Sequence, residues 1–121
     1  MYTADSFRLE NQVAVITGAG AGIGRAIAET FAAAGASVVV SDRDLVAAEA
    51  VAKGIQSSGG KAAAIACDVT QENDLTGLVA GTVQQFGKLT ILVSNAGGGG
   101  PKPFDMPMED FRRAYDLNVF S

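Results

Sequence analysis

Histidine is absent from this chain, and cysteine occurs once, at Cys67. With no imidazole and a single thiol, the usual zinc ligand sets and the Ser/His or Cys/His nucleophile pairs cannot be assembled from these residues. No intrachain disulfide can form, which fits the reducing cytoplasm expected as its compartment. Cys67 itself reads as a small core residue at a strand end. A basic cluster is also missing: 9 Lys and Arg stand against 13 Asp and Glu, a net charge of −4. A nucleic-acid backbone would find little to neutralise it, so nucleic acid is not an expected partner. Long apolar runs are lacking too. The opening MYTADSFRLENQ is polar, without the basic-then-apolar order of a signal peptide. Runs such as SVVV and TILV are far too short to cross a bilayer, so no membrane association is expected.

What is present is 48% hydrophobic residues in a chain of 121, enough for one domain with a real core. Short apolar runs alternate with helical patterns. VAVIT (13–17) is apolar on both faces, as a strand covered by helices must be. A helix with Ile23, Ile27, Phe31 and Ala34 on its apolar face follows, stopped by Gly35. SVVVS (37–41) is a second strand, and its helix presents Leu45, Ala48, Ala52 and Ile55 before SSGG. AAAIAC (62–67) is a weaker third strand. Thr70 then predicts an N-cap for a helix carrying Leu75, Leu78, Val79, Thr82, Val83 and Phe86, ended by Gly87. LTILVS (89–94) is a fourth strand, and Pro107 predicts the start of a fourth helix through MEDFRRAYDLNVFS. This alternation implies a parallel sheet with helices on both faces, β1-α1-β2-α2-β3-α3-β4-α4.

The chemistry is concentrated at the strand ends. TGAGAGIG (17–24) joins the first strand to the first helix, where glycines let backbone amides approach a pyrophosphate. G-x-G-x-x-G fails because the sixth position is Ile23, and G-x-x-x-x-G-K-[ST] fails for the same reason. T-G-x-x-x-G-x-G remains, on Gly18, Gly22 and Gly24. Asp42 closes the second strand 18 positions after Gly24, CDV (67–69) closes the third and NAG (95–97) the fourth.

Together these resemble the cofactor-binding pattern of the short-chain dehydrogenase/reductase family. The resemblance implies a Rossmann-type α/β domain with strand order 3-2-1-4-5-6. It implies a cofactor site on Gly18, Gly22, Ile23, Gly24, Asp42, Arg43, Asp68, Val69, Asn95, Ala96 and Gly97. Asp42 would take the adenosine ribose hydroxyls and repel a 2′-phosphate, favouring NAD over NADP. Arg43 would cover the adenine; pairing with a 2′-phosphate is its alternative role. Asn118, in LNVFS on the fourth helix, resembles the family's catalytic-relay Asn, which by that resemblance would hold a water linking the catalytic Lys to solvent through the helix backbone. The family also implies a homo-oligomer, a tetramer, with Phe111, Tyr115 and Phe120 under a partner or in their own core. Ser94 departs from the pattern, which has a second Asn there.

Hydride transfer in this family uses a Tyr-x-x-x-Lys pair and a Ser. Here Tyr2 and Tyr115 are followed four residues on by Ser6 and Val119. The expectation is that residues 1–121 are the N-terminal part of a single NAD(P)-binding domain, cut short inside the fourth helix and leaving the fourth strand's outer edge unpaired. By composition SNAGGGGPKPF (94–104) is a linker; by position it is the mouth of a site, with Gly99 against the substrate. The stretch 94–121 resembles family members that oxidise the 7α-hydroxyl of bile acids, which implies a small-molecule steroid substrate. The alternatives are a carbonyl reductase of the 3-oxoacyl-carrier-protein type, sharing fold and cofactor, and a non-catalytic nucleotide-binding module. A receiver domain is excluded, because VITGAG brings no acidic residue to the end of strand 1.

Overall fold

The computed structural model of the chain describes residues 8–95 and the backbone of residues 118–120. Its elements run β1 (Val13–Ile16), α1 (Gly22–Ala33), β2 (Ser37–Asp42), α2 (Leu45–Ser57), β3 (Lys61–Ala66), α3 (Glu72–Phe86), β4 (Ile91–Val93) and β5 (Asn118–Phe120). The strands form one sheet in the order β3-β2-β1-β4-β5, and every pairing is parallel. Successive residues of a strand face opposite sides, so each strand feeds two cores. Ala14, Ile16, Val38, Val40, Ile91 and Val93 pack with α1 and α2. Val15, Val39 and Leu92 pack with Leu75, Leu78 and Val79 of α3. Covering on both faces explains why β1 and β2 read as continuous apolar runs. Among the described residues no helix is long and apolar enough to cross a membrane.

Two threonines fasten β1 to β4, one at each end. The Thr90 hydroxyl accepts the Val13 amide at 2.8 Å and donates to the Val13 carbonyl at 3.1 Å. At the other end the Thr17 amide and hydroxyl both donate to the Val93 carbonyl, at 3.1 and 3.3 Å. On the far side of the sheet β3 is an edge. The Cys67 amide bonds the Asp42 carbonyl at 3.1 Å, so the odd-numbered residues of β3 point their backbone groups at β2 and the even-numbered ones point outward. One outward carbonyl, that of Ala62, accepts the Gln56 side-chain amide at 2.7 Å.

Four sequence expectations are corrected. Ile23 is not on the buried face of α1; it is 74% exposed. The helix instead buries Gly24 and Ala28, with Ile27 and Phe31 packed beside them. This stripe of i, i+3, i+4 and i+7 turns Ile23 away. Leu45 lies at the lip of α2 and is 41% exposed, while Val51 joins Ala48, Ala52 and Ile55 in the core. The N-cap of α3 is Gln71, not Thr70; Thr70 lies one position before the cap, where its amide and hydroxyl both donate to Asp68. Finally, residues 118–120 form a strand rather than the end of a fourth helix, in register with Ile91–Val93. Extended pairing uses the N–H and C=O groups that the outer edge of β4 would otherwise leave open, and it outweighs the helical pattern of the sequence. That edge is therefore paired. The rest of the expected fourth helix lies outside the described residues.

Candidate functional site

Because all strands are parallel, their C-terminal ends and the loops that follow lie along one side of the sheet. The chain turns from β1 towards β2 on one side and reaches β4 on the other, so the crevice lies above the end of β1. Gly18 and Gly22 both take left-handed φ, +62° and +61°, conformations that L side chains rarely adopt. Among the described residues nothing lies within 4 Å of where a Gly22 side chain would begin.

Helix α1 starts here without a side-chain cap and without an acidic residue in its first turn. The other helices begin differently. Asp44 caps α2 by accepting the Ala47 amide at 3.2 Å, and α3 carries Glu72 and Asp74 in its first turn. An uncapped helix start presents amide hydrogens and the positive end of the macrodipole, and an anion there is stabilised by roughly 0.3–1 kcal/mol when exposed, more when partly buried. Ile23 lies exposed in this first turn.

At the end of β4, Asn95 holds the loop together. Its amide donates to the Thr17 hydroxyl at 3.0 Å, and its side-chain amide to the Gly18 carbonyl at 3.3 Å. Gly24 lies directly beneath. A Cβ there would run into the Gly18 carbonyl oxygen and come 2.6 Å from Asn95 Nδ2. Gly24 is therefore required for close approach of helix and loop. Thr17 opens the motif T-G-x-x-x-G-x-G, yet spacing alone did not single it out. Its place before the glycines was the available signal.

At the end of β2, the Asp42 carboxylate accepts the Gly20 amide on Oδ2 at 2.9 Å and the Asp44 amide on Oδ1 at 3.0 Å. A carboxylate offers about four lone-pair sites, so acceptor capacity remains on both oxygens. Arg43 is exposed beside it. At the end of β3, Asp68 accepts the Thr70 hydroxyl at 2.6 Å and the Thr70 amide at 2.9 Å. These bonds, the hydroxyl first, hold its carboxyl below the usual carboxylate range, and the charge of nearby Arg43 adds to the effect. The Asp68 amide donates to Asp74 Oδ2 at 3.0 Å, tying the loop to α3. Val69 is half-buried against the α3 core. Cys67 is buried, and its thiol is pushed up to about 11, chiefly by burial and then by the carboxylates of Asp74 and Asp68. It is a protonated core group, not a nucleophile.

The structure thus brings Gly18, Gly22, Ile23, Gly24, Asp42, Arg43, Asp68, Val69 and Asn95 to one side of the sheet. Ala96, Gly97 and Gly99 lie outside the described residues. Asn118 is described only as backbone, in β5, so its expected position on a helix is corrected; its side chain lies outside the description.

Comparison with known proteins agrees with this geometry. The sequence model of the family described as short chain dehydrogenase matches residues 12–121. The 7α-hydroxysteroid dehydrogenase of Escherichia coli is 60% identical over all 121 residues, which cover 48% of its length. The 2,5-dichloro-2,5-cyclohexadiene-1,4-diol dehydrogenase of Sphingobium indicum is 42% identical over 113 residues, covering 92% of this chain and 44% of the relative. A solved 7α-hydroxysteroid dehydrogenase, complexed with NADH and 7-oxoglycochenodeoxycholic acid, superposes with a TM-score of 0.77. It is 59% identical, over 98% of this chain and 46% of the other. The chain spans about half the length of the curated relatives it matches.

Proposed function

The chain belongs to the short-chain dehydrogenase family, and from that membership we propose that it binds NAD over the ends of β1 to β4 and serves hydride transfer to or from a secondary alcohol, the 7α-hydroxyl of a bile acid. One arrangement carries the cofactor part: an uncapped α1 beside a carboxylate at the end of β2. The amides of Gly22, Ile23 and Gly24, with the turn at Gly18, suit a pyrophosphate. Asp42 suits the ribose hydroxyls. Arg43, Asp68 and Val69 would surround the adenine, and Asn95, with Ala96 and Gly97, would hold the loop beside the nicotinamide. When bound, the nicotinamide ring supplies the hydride acceptor or donor. NAD is favoured over NADP because a phosphate about 4 Å from Asp42 would meet a repulsion of about 4 kcal/mol in the effective dielectric of a protein surface. The 7α-hydroxysteroid dehydrogenase relative supports the steroid substrate. Gly99 at the substrate, Asn118 in catalysis and assembly into a homo-oligomer rest on the family resemblance.

The test is formation of NADH from NAD and a 7α-hydroxy bile acid. Absence of turnover, together with reduction of an acyl ketone by NADPH, would replace the steroid reading with that of a carbonyl reductase. Asp42→Ala should weaken NAD binding by about 10- to 100-fold, since a hydrogen bond to a charged group contributes about 1.5–3 kcal/mol. Unchanged affinity would remove the ribose role.

A further inference from the structure

Gly20, a residue that lies outside the T-G-x-x-x-G-x-G glycines, packs directly against the Asp42 carboxylate. Its amide reaches Oδ2 at 2.9 Å while the Asp44 amide reaches Oδ1 at 3.0 Å, so each oxygen is held by one backbone N–H. There is no room for a side chain between them. A Cβ on Gly20 would lie 2.8 Å from Asp42 Oδ2, 3.1 Å from Asp42 Cγ and 2.9 Å from the Cβ of Ala47. Ala47 cannot yield easily, because its own amide is bonded to the Asp44 side chain at the first turn of α2. The carboxylate and the loop would have to part.

We propose that Gly20 is the positioning residue for dinucleotide selectivity. Its amide and that of Asp44 fix the Asp42 carboxylate, so that its remaining lone pairs meet a ribose diol and its charge stays where a 2′-phosphate would lie. Without this clamp the carboxylate rotates about χ1 and χ2, loses aim at the diol and swings away from the phosphate position. The inference rests on the ribose role of Asp42.

The experiment is calorimetric titration of the full chain with NADH and with NADPH, for the parent, Gly20→Ala, Asp42→Ala and the double variant. Gly20→Ala should reduce the preference for NADH over NADPH by about tenfold, the size expected when one bond to a charged group is lost. In the Asp42→Ala background the same substitution should leave the preference unchanged, because the group it positions is gone. A Gly20→Ala preference equal to the parent's, or an equal loss in both backgrounds, overturns the proposal. If Asp42→Ala itself leaves NADH binding intact, the ribose role fails instead, a separate outcome. Should Gly20→Ala not fold, Asp44→Pro, which removes the second amide together with the α2 cap, is compared with Asp44→Ala, which removes the cap alone. Relative to Asp44→Ala, Asp44→Pro should reduce the preference in the parent background only, and no reduction there overturns the proposal.

Discussion

Replacing Thr17 by Val tests how β1 and the loop after β4 are joined. The two side chains have the same shape, so the change removes a hydroxyl and little else. That hydroxyl accepts the Asn95 amide at 3.0 Å and donates to the Val93 carbonyl at 3.3 Å. The Val93 carbonyl keeps the Thr17 amide at 3.1 Å, so it is not orphaned. The Asn95 amide loses its Thr17 acceptor. A half-buried donor left without a partner costs about 1–2 kcal/mol, the lower part of the range for buried groups. For a domain of this size the melting temperature should fall by roughly 4 °C per kcal/mol. Circular dichroism melts give the total loss, and hydrogen exchange at the Asn95 amide locates it. Thr17→Ser keeps the hydroxyl and removes a buried methyl, at a cost of about 1 kcal/mol. It should therefore lose stability while retaining protection at Asn95. If Thr17→Val melts with the parent and exchange at Asn95 is unchanged, the hydroxyl is not the joint described above.

Two further predictions concern Gly24 and Cys67. Helix propensity alone favours Gly24→Ala by about 1 kcal/mol, but the contacts with the Gly18 carbonyl and Asn95 should reverse the sign, to a net loss of about 1–3 kcal/mol in denaturant unfolding; a more stable variant would refute the close approach. The Cys67 thiol, raised from 9.0 to about 11, should resist Ellman's reagent at pH 8 in the native protein and react at once in denaturant. Its folded value lies above its unfolded one, so its contribution is fully present below about pH 9 and is lost as pH rises through about 11. The denaturant midpoint should accordingly fall more steeply between pH 9 and 11 in the parent than in Cys67→Val, and parallel curves would refute the shift.

The legible parts of this protein were those decided locally. Apolar runs covered on both faces placed β1 and β2, and Gly35 and Gly87, both at positive φ, marked the ends of α1 and α3 as expected. The strand-end residues of the candidate site followed from a motif whose turn chemistry is local. The misjudged details depended on partners remote in sequence, or on competition among neighbours. The phase of α1 is set by Gly24 meeting a loop that includes Asn95, so the apolar face could not be read from Ile23 and Ile27 alone. Thr70 has the right chemistry for an N-cap, but it lies one position before the cap and bonds to Asp68. Residues 118–120 carry a helical pattern, and only the open edge of β4 decides against it. Gly20 was hidden for a related reason: its requirement comes from a carboxylate 22 residues away.

The Gln56 side chain at the β3 edge bears on how the molecule behaves in a crowded solution. A sheet grows wherever an edge offers free backbone groups, and an edge strand with four alanines in six residues offers little bulk to obstruct a newcomer. By occupying the Ala62 carbonyl, α2 removes one of the acceptors an incoming strand would need, next to the charge of Lys61. Fibril-like stacking of copies through β3 therefore begins with a broken hydrogen bond. A single amide thus helps keep a sheet that must be continuous inside the molecule from continuing outside it.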